Sequence, residues 1–353
     1  MDDQTSGSAG PAAREDSAAA AGAHSERTAA EMHAPVMERE LLDIFAPALQ
    51  APGSVYLDCT LGMAGHACAV LAANPEARLV GIDRDSAALE LARGRLTDAG
   101  FDGRFSLHHA TYDEIPEVLD AAKVAAADAI LMDLGLSSFQ IDTRDRGFAY
   151  SVDAPLDMRM NASGGGATAA DLVNTLEEQE LARILSQYGE ERFARRIARS
   201  IVQRRAEQPF TRSGDLVEVI DRSIPAKSKR TGGHPAKRTF QALRIAVNDE
   251  LDILQDALEA ALGALADGGR LAVESYHSLE DRMVKRAFTA VTTSSAPLDL
   301  PVELPELAPD YRLVHRGAKQ ASAQEQETNT RSASVRLRAV ERTARTATSQ
   351  ESR

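Results

Sequence analysis

Short apolar runs and longer amphipathic stretches take turns along this chain. Val36 to Leu49 reads as an amphipathic helix and Ser54 to Asp58 as a short strand. Gly65 to Asn74 and Ser86 to Ala99 read as helices, separated by the apolar strand Arg78 to Asp83. Phe105 to His109 and Ala127 to Asp133 are two further strands. Strands alternating with helices predict a parallel sheet joined by crossover helices. The rhythm stops after residue 140. Residues 141–246 hold a glycine-rich break, Gly164 to Gly166, and helical stretches at Glu178 to Tyr188 and Arg192 to Arg205. It resumes at Glu250 to Ala266, where Leu251, Leu254, Leu258, Leu262 and Leu265 recur at helical spacing and Asp267-Gly268-Gly269 predicts a glycine cap. Arg270 to Ser275 is a fifth strand, and Tyr311 to Val314 and Ser334 to Val340 a closing pair. The pattern predicts one discontinuous α/β domain, 32–140 with 247–340, and an all-helical insertion over 141–246. Residues 1–31 and 341–353 are poor in bulky apolar residues and are expected to be disordered tails.

Composition narrows the class. With 43% hydrophobic residues the chain can bury a core, yet no apolar run approaches the roughly 20 residues that span a bilayer. No signal-peptide core is present, and the two cysteines, Cys59 and Cys68, exclude a disulfide framework. The expected location is the cytoplasm. The net charge of -13 speaks against a nucleic-acid partner until its distribution is considered. Residues 192–244 carry 14 Lys/Arg against four acids, and Tyr311 to Arg345 is also basic. A polyanion can dock there. The plainer reading of the first stretch is a solvated, arginine-rich helix face.

In open parallel sheets, ligands sit at the carboxyl ends of the strands. After the first strand comes Asp58-Cys59-Thr60-Leu61-Gly62-Met63-Ala64-Gly65-His66, whose small residues let the backbone approach a ligand. The loop opens a helix, and a helix N-terminus suits a carboxylate. Asp83 ends the second strand, placed to accept two ribose hydroxyls; Tyr112 follows the third, placed to cover an adenine; Asp133 ends the fourth. Asp83 and Asp85 also suit a helix cap. A nicotinamide site has a similar layout, and from Gly62 a loose dinucleotide fingerprint survives with Ala64 as its second glycine.

Longer motifs separate these readings. His33-Ala34-Pro35-Val36-Met37, the 58–66 loop, Gly81-Ile82-Asp83-Arg84-Asp85 and the run from Asp133 to Gln140 appear in order. Arg146-Gly147-Phe148, Pro155 to Met160, Phe240 to Asn248, Ser275 to Arg282 and Arg331 to Arg338 follow. Together, over about 33–340, they closely resemble the bacterial 16S ribosomal RNA cytosine N4-methyltransferases. The resemblance implies a class I Rossmann-like methyltransferase sheet and S-adenosylmethionine as cofactor. It implies cofactor contacts at Ala64, Gly65, His66, Asp83, Tyr112, Asp133 and Gln140, of which Gln140 rests on the resemblance alone. The implied substrate is a cytidine in the decoding region of the small ribosomal subunit, with the insertion helping to hold the RNA. The sequence leaves the oligomeric state open. Two positions depart from the family pattern. Ala64 replaces a glycine, which a negative backbone φ would tolerate, and Tyr276 replaces a phenylalanine while keeping the ring.

The chemistry asks for a methyl acceptor in line with a sulfonium, at about 3 to 3.5 Å. Cytosine's exocyclic amine is a poor nucleophile, so an acceptor for its proton helps. Asp133 is the natural candidate and His277, after the fifth strand, the second; the segment from Ser275 to Arg282 also reads as a capped helix start. No metal is expected. For the RNA backbone the candidates are Arg195, Arg196, Arg199, Arg204, Lys237 and Arg238. The competing functions are a DNA or small-molecule methyltransferase, a ribosome-binding assembly factor without activity, and a nicotinamide oxidoreductase.

Overall fold

The computed structural model describes residues 35–137, 140–141, 143–162, 164–229, 234–296 and 307–344. The expected tail over 1–31 lies outside the described residues, as do 345–353 of the expected tail over 341–353; Glu341 and Arg342 instead end the last strand, where Glu341 pairs with Arg270 and Arg312. Seven strands form one sheet: β1 (Val55–Asp58), β2 (Arg78–Asp83), β3 (Phe105–His109), β4 (Ala127–Asp133), β5 (Leu265–Ser275), β6 (Tyr311–Leu313) and β7 (Arg336–Arg342). Their order across the sheet is β3-β2-β1-β4-β5-β7-β6. Strands β1 to β5 run parallel, while β7 is antiparallel to both β5 and β6. This is the Rossmann-like α/β sheet expected from the alternation of strands and helices. The order reverses between β1 and β4, so the crevice for a ligand lies beyond the ends of those two strands.

Alternation along each strand divides the core. Tyr56, Leu79, Ala129, Leu131 and Ala272 face one side, packed with helices α1 (Glu38–Phe45), α2 (Gly65–Ala73) and α3 (Ser86–Asp98). Leu57, Val80, Ile130, Met132, Leu271 and Val273 face the other, against α4 (Ile115–Ala122) and helices Glu250–Ala264 and Ser278–Thr292. Apolar residues on both faces are what a parallel sheet covered by helices requires.

Between β4 and β5 the chain leaves the sheet. Helices Ala169–Thr175, Glu178–Gln187, Ala194–Glu207, Ser213–Ser223 and Lys237–Asn248 gather around an apolar centre that includes Val173, Leu185, Ile197, Leu216 and Phe240. Polar ties anchor this segment at the strand ends. Arg146 binds both oxygens of buried Asp85 at 3.2 and 2.9 Å. Asn248 accepts from Met160 N and Arg84 donates to the Asn248 carbonyl.

The predicted end of one helix is corrected. The helix from Glu250 stops at Ala264, and Asp267-Gly268-Gly269 lies inside β5 rather than capping it. Leu265 is fully buried and pairs with Ala127, which draws the chain into the sheet early. The register then shifts, with Ala129 opposite Arg270, and Gly268 takes φ +79° in the intervening bulge. Among the described residues no helix is long and apolar enough to cross a membrane.

Candidate active site

The loop after β1 is held from below by backbone bonds. Cys59 N donates to Leu131 O and Leu61 N to Ile82 O, each at 2.9 Å. Asp58 is buried and accepts from Tyr56 Oη at 3.0 Å and Thr60 N at 3.2 Å; burial nevertheless pushes its carboxyl up to about 6. Gly62 takes φ +52°. Ala64 sits at φ +58° with its methyl fully buried, so its tolerance does not come from a negative φ as the sequence suggested. The left-handed region costs an L-residue about 1–2 kcal/mol, which the surrounding apolar contacts must offset. Helix α2 then starts at Gly65 with no side-chain cap, leaving N–H groups of its first turn toward the strand ends.

Beside this loop, β4 and β5 end in a cluster of titratable groups. Asp133 N donates to Thr60 Oγ1 at 2.7 Å. Its carboxylate accepts from Tyr276 Oη at 2.8 Å, and its other oxygen lies 3.7 Å from His66 Nδ1. His66 Nε2 is 2.9 Å from Val36 O. A carbonyl only accepts, so Nε2 carries a proton and Nδ1 is turned to Asp133. Burial raises the Asp133 carboxyl above its ordinary value, against the opposing pull of His66 and the Tyr276 hydroxyl. The Asp133 side chain stays 27% exposed, so an incoming group can reach it. Gly135, at φ +100°, lies under the Tyr276 ring, where an added Cβ would be 3.5 Å from the ring. Glu274, paired with Asp133 across the sheet, brings a carboxylate oxygen within 4.8 Å of both Asp133 and His66.

Asp83 accepts from Gly62 N at 2.7 Å and Asp85 N at 2.8 Å, one on each oxygen. A carboxylate has about four lone-pair sites, so two remain for a diol. Burial outweighs these bonds and raises Asp83 to about 6. Asp85 is the actual cap of α3, accepting from Ala87 N. Tyr112 opens a short turn just past β3 and packs with the apolar residues on the α4 side. Gln140 is buried and exchanges hydrogen bonds with Ser137, both at 3.2 Å.

His277 has a different setting from Asp133. Its Nδ1 accepts from Glu280 N at 3.4 Å and its Nε2 lies 3.1 Å from Glu280 Oε1, while Glu280 accepts from the N–H groups of Tyr276 and His277. Burial disfavours the Glu280 anion, but His277 and Arg244 outweigh it and hold the carboxyl below its usual range. His277 therefore closes a capping box on helix Ser278–Thr292. That arrangement fixes the Tyr276 backbone and so aims its hydroxyl at Asp133.

The basic residues are divided. Arg195, Arg196 and Arg199 are exposed along an open groove of about 920 Å³ between helices Glu178–Gln187 and Ala194–Glu207, with Arg183 and Arg192 on its walls. Arg199 has one exposed ion pair, 3.5 Å to Glu178. Arg204 instead turns back, donating to Gln208 O at 2.7 Å and covering Phe210. Lys237 is exposed, and Arg238 donates to the Glu190 carbonyl at 2.8 Å.

Residues 30–343 match the MraW methylase family. The chain belongs to that family. It is 57% identical to the ribosomal RNA small subunit methyltransferase H of Saccharopolyspora erythraea over 315 residues, covering 89% of this chain and 94% of that protein. The protein of the same name from a Nocardioides species is 56% identical, over 89% of this chain and 97% of its own length. The rRNA methylase structure from Streptococcus thermophilus is 12% identical with a TM-score of 0.39, over 86% of this chain and 94% of its own. Within this MraW-type sheet, the groups missed from sequence are the Tyr276 hydroxyl, Thr60 and Glu274. A signal existed for the last: Glu274 is a lone acid following the apolar Leu-Ala-Val run of β5.

Proposed function

We propose that this protein transfers a methyl group from S-adenosylmethionine to the N4 amine of a cytidine in the decoding region of 16S ribosomal RNA. The observation that carries the reading is Asp133. It ends β4 at the crevice, its backbone N–H is held by Thr60, its carboxylate is aimed by Tyr276, and its side chain remains accessible. The residues fit the cofactor. The uncapped first turn of α2 suits its carboxylate and the two open lone pairs of Asp83 suit a ribose diol. Tyr112 and Gln140 are assigned to its remaining sides by the family motif. Ala64, Gly65 and His66 supply the close backbone approach.

When bound, the cofactor supplies a methyl already activated on a sulfonium. The protein's part is to orient the amine and take its proton. Asp133 accepts one amine hydrogen, which favours the pyramidal nitrogen whose lone pair forms the new bond; the released proton passes to the same carboxylate. His277 supports this indirectly, by fixing the backbone that carries Tyr276. The groove bearing Arg195, Arg196 and Arg199 contacts phosphates, which positions RNA without reading bases. The target base leaves its stack to enter the crevice. The relatives' shared name, a small-subunit ribosomal RNA methyltransferase, supports this substrate over DNA or a small molecule. The test is transfer of label from methyl-labelled S-adenosylmethionine: label in small-subunit ribosomal RNA supports the reading, and label only in DNA or none at all rejects it.

A further inference from the structure

Glu274 is a carboxylic acid in a place that offers it no compensation. It is fully buried on β5, and neither oxygen has a hydrogen-bond partner among the described residues. The groups facing it come from every side. Asp133 lies on the neighbouring strand and His66 on α2, both within 4.8 Å, while the carboxylates of Glu40 on α1 and Glu325 on the short helix Ala323–Thr328 act on it from further away. The Tyr276 hydroxyl is already given to Asp133. The His66 Nε2 proton is given to Val36.

Two carboxylates this close do not both ionise. One of them must hold a proton, and the choice is settled by partners. Asp133 has a hydroxyl donor and some access to solvent; Glu274 has neither. A protonated carboxyl gains a donor of its own; the acceptors within 4.8 Å are the Asp133 carboxylate and the His66 ring, and the charged carboxylate is the stronger of the two. We propose that Glu274 is a neutral acid whose proton is donated in a hydrogen bond to Asp133, making it a positioning residue that sets the charge and direction of the acceptor carboxylate. Burial and the Asp133 charge both raise the Glu274 carboxyl well above its ordinary value, in keeping with this assignment. The neutral acid gives Asp133 a second donor beside Tyr276. It also lowers the proton affinity of Asp133, which keeps that carboxylate ionised and ready to accept the amine hydrogen. The role in methyl transfer rests on the reading of Asp133 as acceptor; the protonation state does not.

Two measurements separate these parts. Infrared spectra of the intact, cofactor-free protein, with isotope-labelled glutamate, should show the carbonyl stretch of a protonated glutamic acid at neutral pH. Glu274→Gln should remove it. Absence of the band in the unsubstituted protein overturns the proposal without any need for a variant to fold, and so does a divalent cation bound by the protein and lost in Glu274→Gln, since Glu274 would then be ionised. The second measurement is the pH dependence of methyl transfer. Glu274→Gln keeps a donor and should leave the acid limb in place, whereas Glu274→Leu removes it and should move the limb up by about one pH unit. Coincident limbs in the two variants overturn the hydrogen bond to Asp133. If no nucleic acid is methylated at all, the functional reading fails, and the infrared band still decides the state of Glu274.

Discussion

Removing one oxygen atom from Tyr276 isolates the group that aims Asp133. Tyr276→Phe leaves the ring over Gly135 and deletes only the hydroxyl, which lies 2.8 Å from Asp133. A hydrogen bond to an ionised group contributes about 1.5–3 kcal/mol. That stabilisation belongs to the charged form of Asp133, so losing it raises the proton affinity of the carboxyl. At 1.36 kcal/mol per unit, the rise is about 1–2 pH units. The assay is single-turnover methyl transfer to small subunits at saturating cofactor, followed across pH. The account predicts an acid limb displaced upward by about 1–2 units and a rate that recovers toward the unsubstituted value once Asp133 is ionised. Superimposed profiles would refute the reasoning, and so would a fall by the same factor at every pH, because the hydroxyl would then act on geometry alone.

Three further outcomes are expected. Asp83→Ala should weaken S-adenosylmethionine binding by about 1.5–3 kcal/mol in calorimetry, and unchanged affinity would remove Asp83 from the site. Arg195, Arg196 and Arg199 replaced together by glutamine should weaken RNA binding and flatten its salt slope by about 2, with cofactor affinity unchanged; Arg204 is left out because it serves its own helix end. Asp58 ionises at about 6 in the folded chain, above an ordinary aspartate near 3.9. A raised carboxyl adds stability at low pH that is lost as pH rises through the folded value. Asp58→Asn should therefore gain on the unsubstituted protein by ~3 kcal/mol between about pH 4 and 7 in denaturant titrations, and parallel stability curves would sink that idea.

The succession of strands and helices and the strand-end position of the crevice were legible because apolar period and strand-end residues are local signals. β3 and β4 fall on the predicted residues, Phe105–His109 and Ala127–Asp133: the first opens on alternating Phe-Ser-Leu, and the second is a short, mainly apolar run that ends in an acid. The end of the Glu250 helix was not legible. Glycines after a leucine-rich helix suggest a cap, but the pairing of Leu265 with Ala127, more than a hundred residues away, decides the boundary. The same limit applies to the site. Asp133 and Asp83 stand out at strand ends, whereas the Tyr276 hydroxyl and Glu274 acquire meaning only when β5 is laid beside β4. Ala64 shows the reverse case: the motif identified the position, but its left-handed backbone depends on how the loop closes onto Asp83 through Gly62.

The central claim is the identity of the methylated atom. Small subunits lacking the modification, incubated with the protein and S-adenosylmethionine, can be digested to nucleosides and resolved by mass spectrometry. The account predicts N4-methylcytidine from the 16S RNA and its loss with Asp133→Asn. A methyl on cytosine C5 or on a ribose oxygen, or N4-methylcytidine formed equally well by the Asp133→Asn protein, would contradict it.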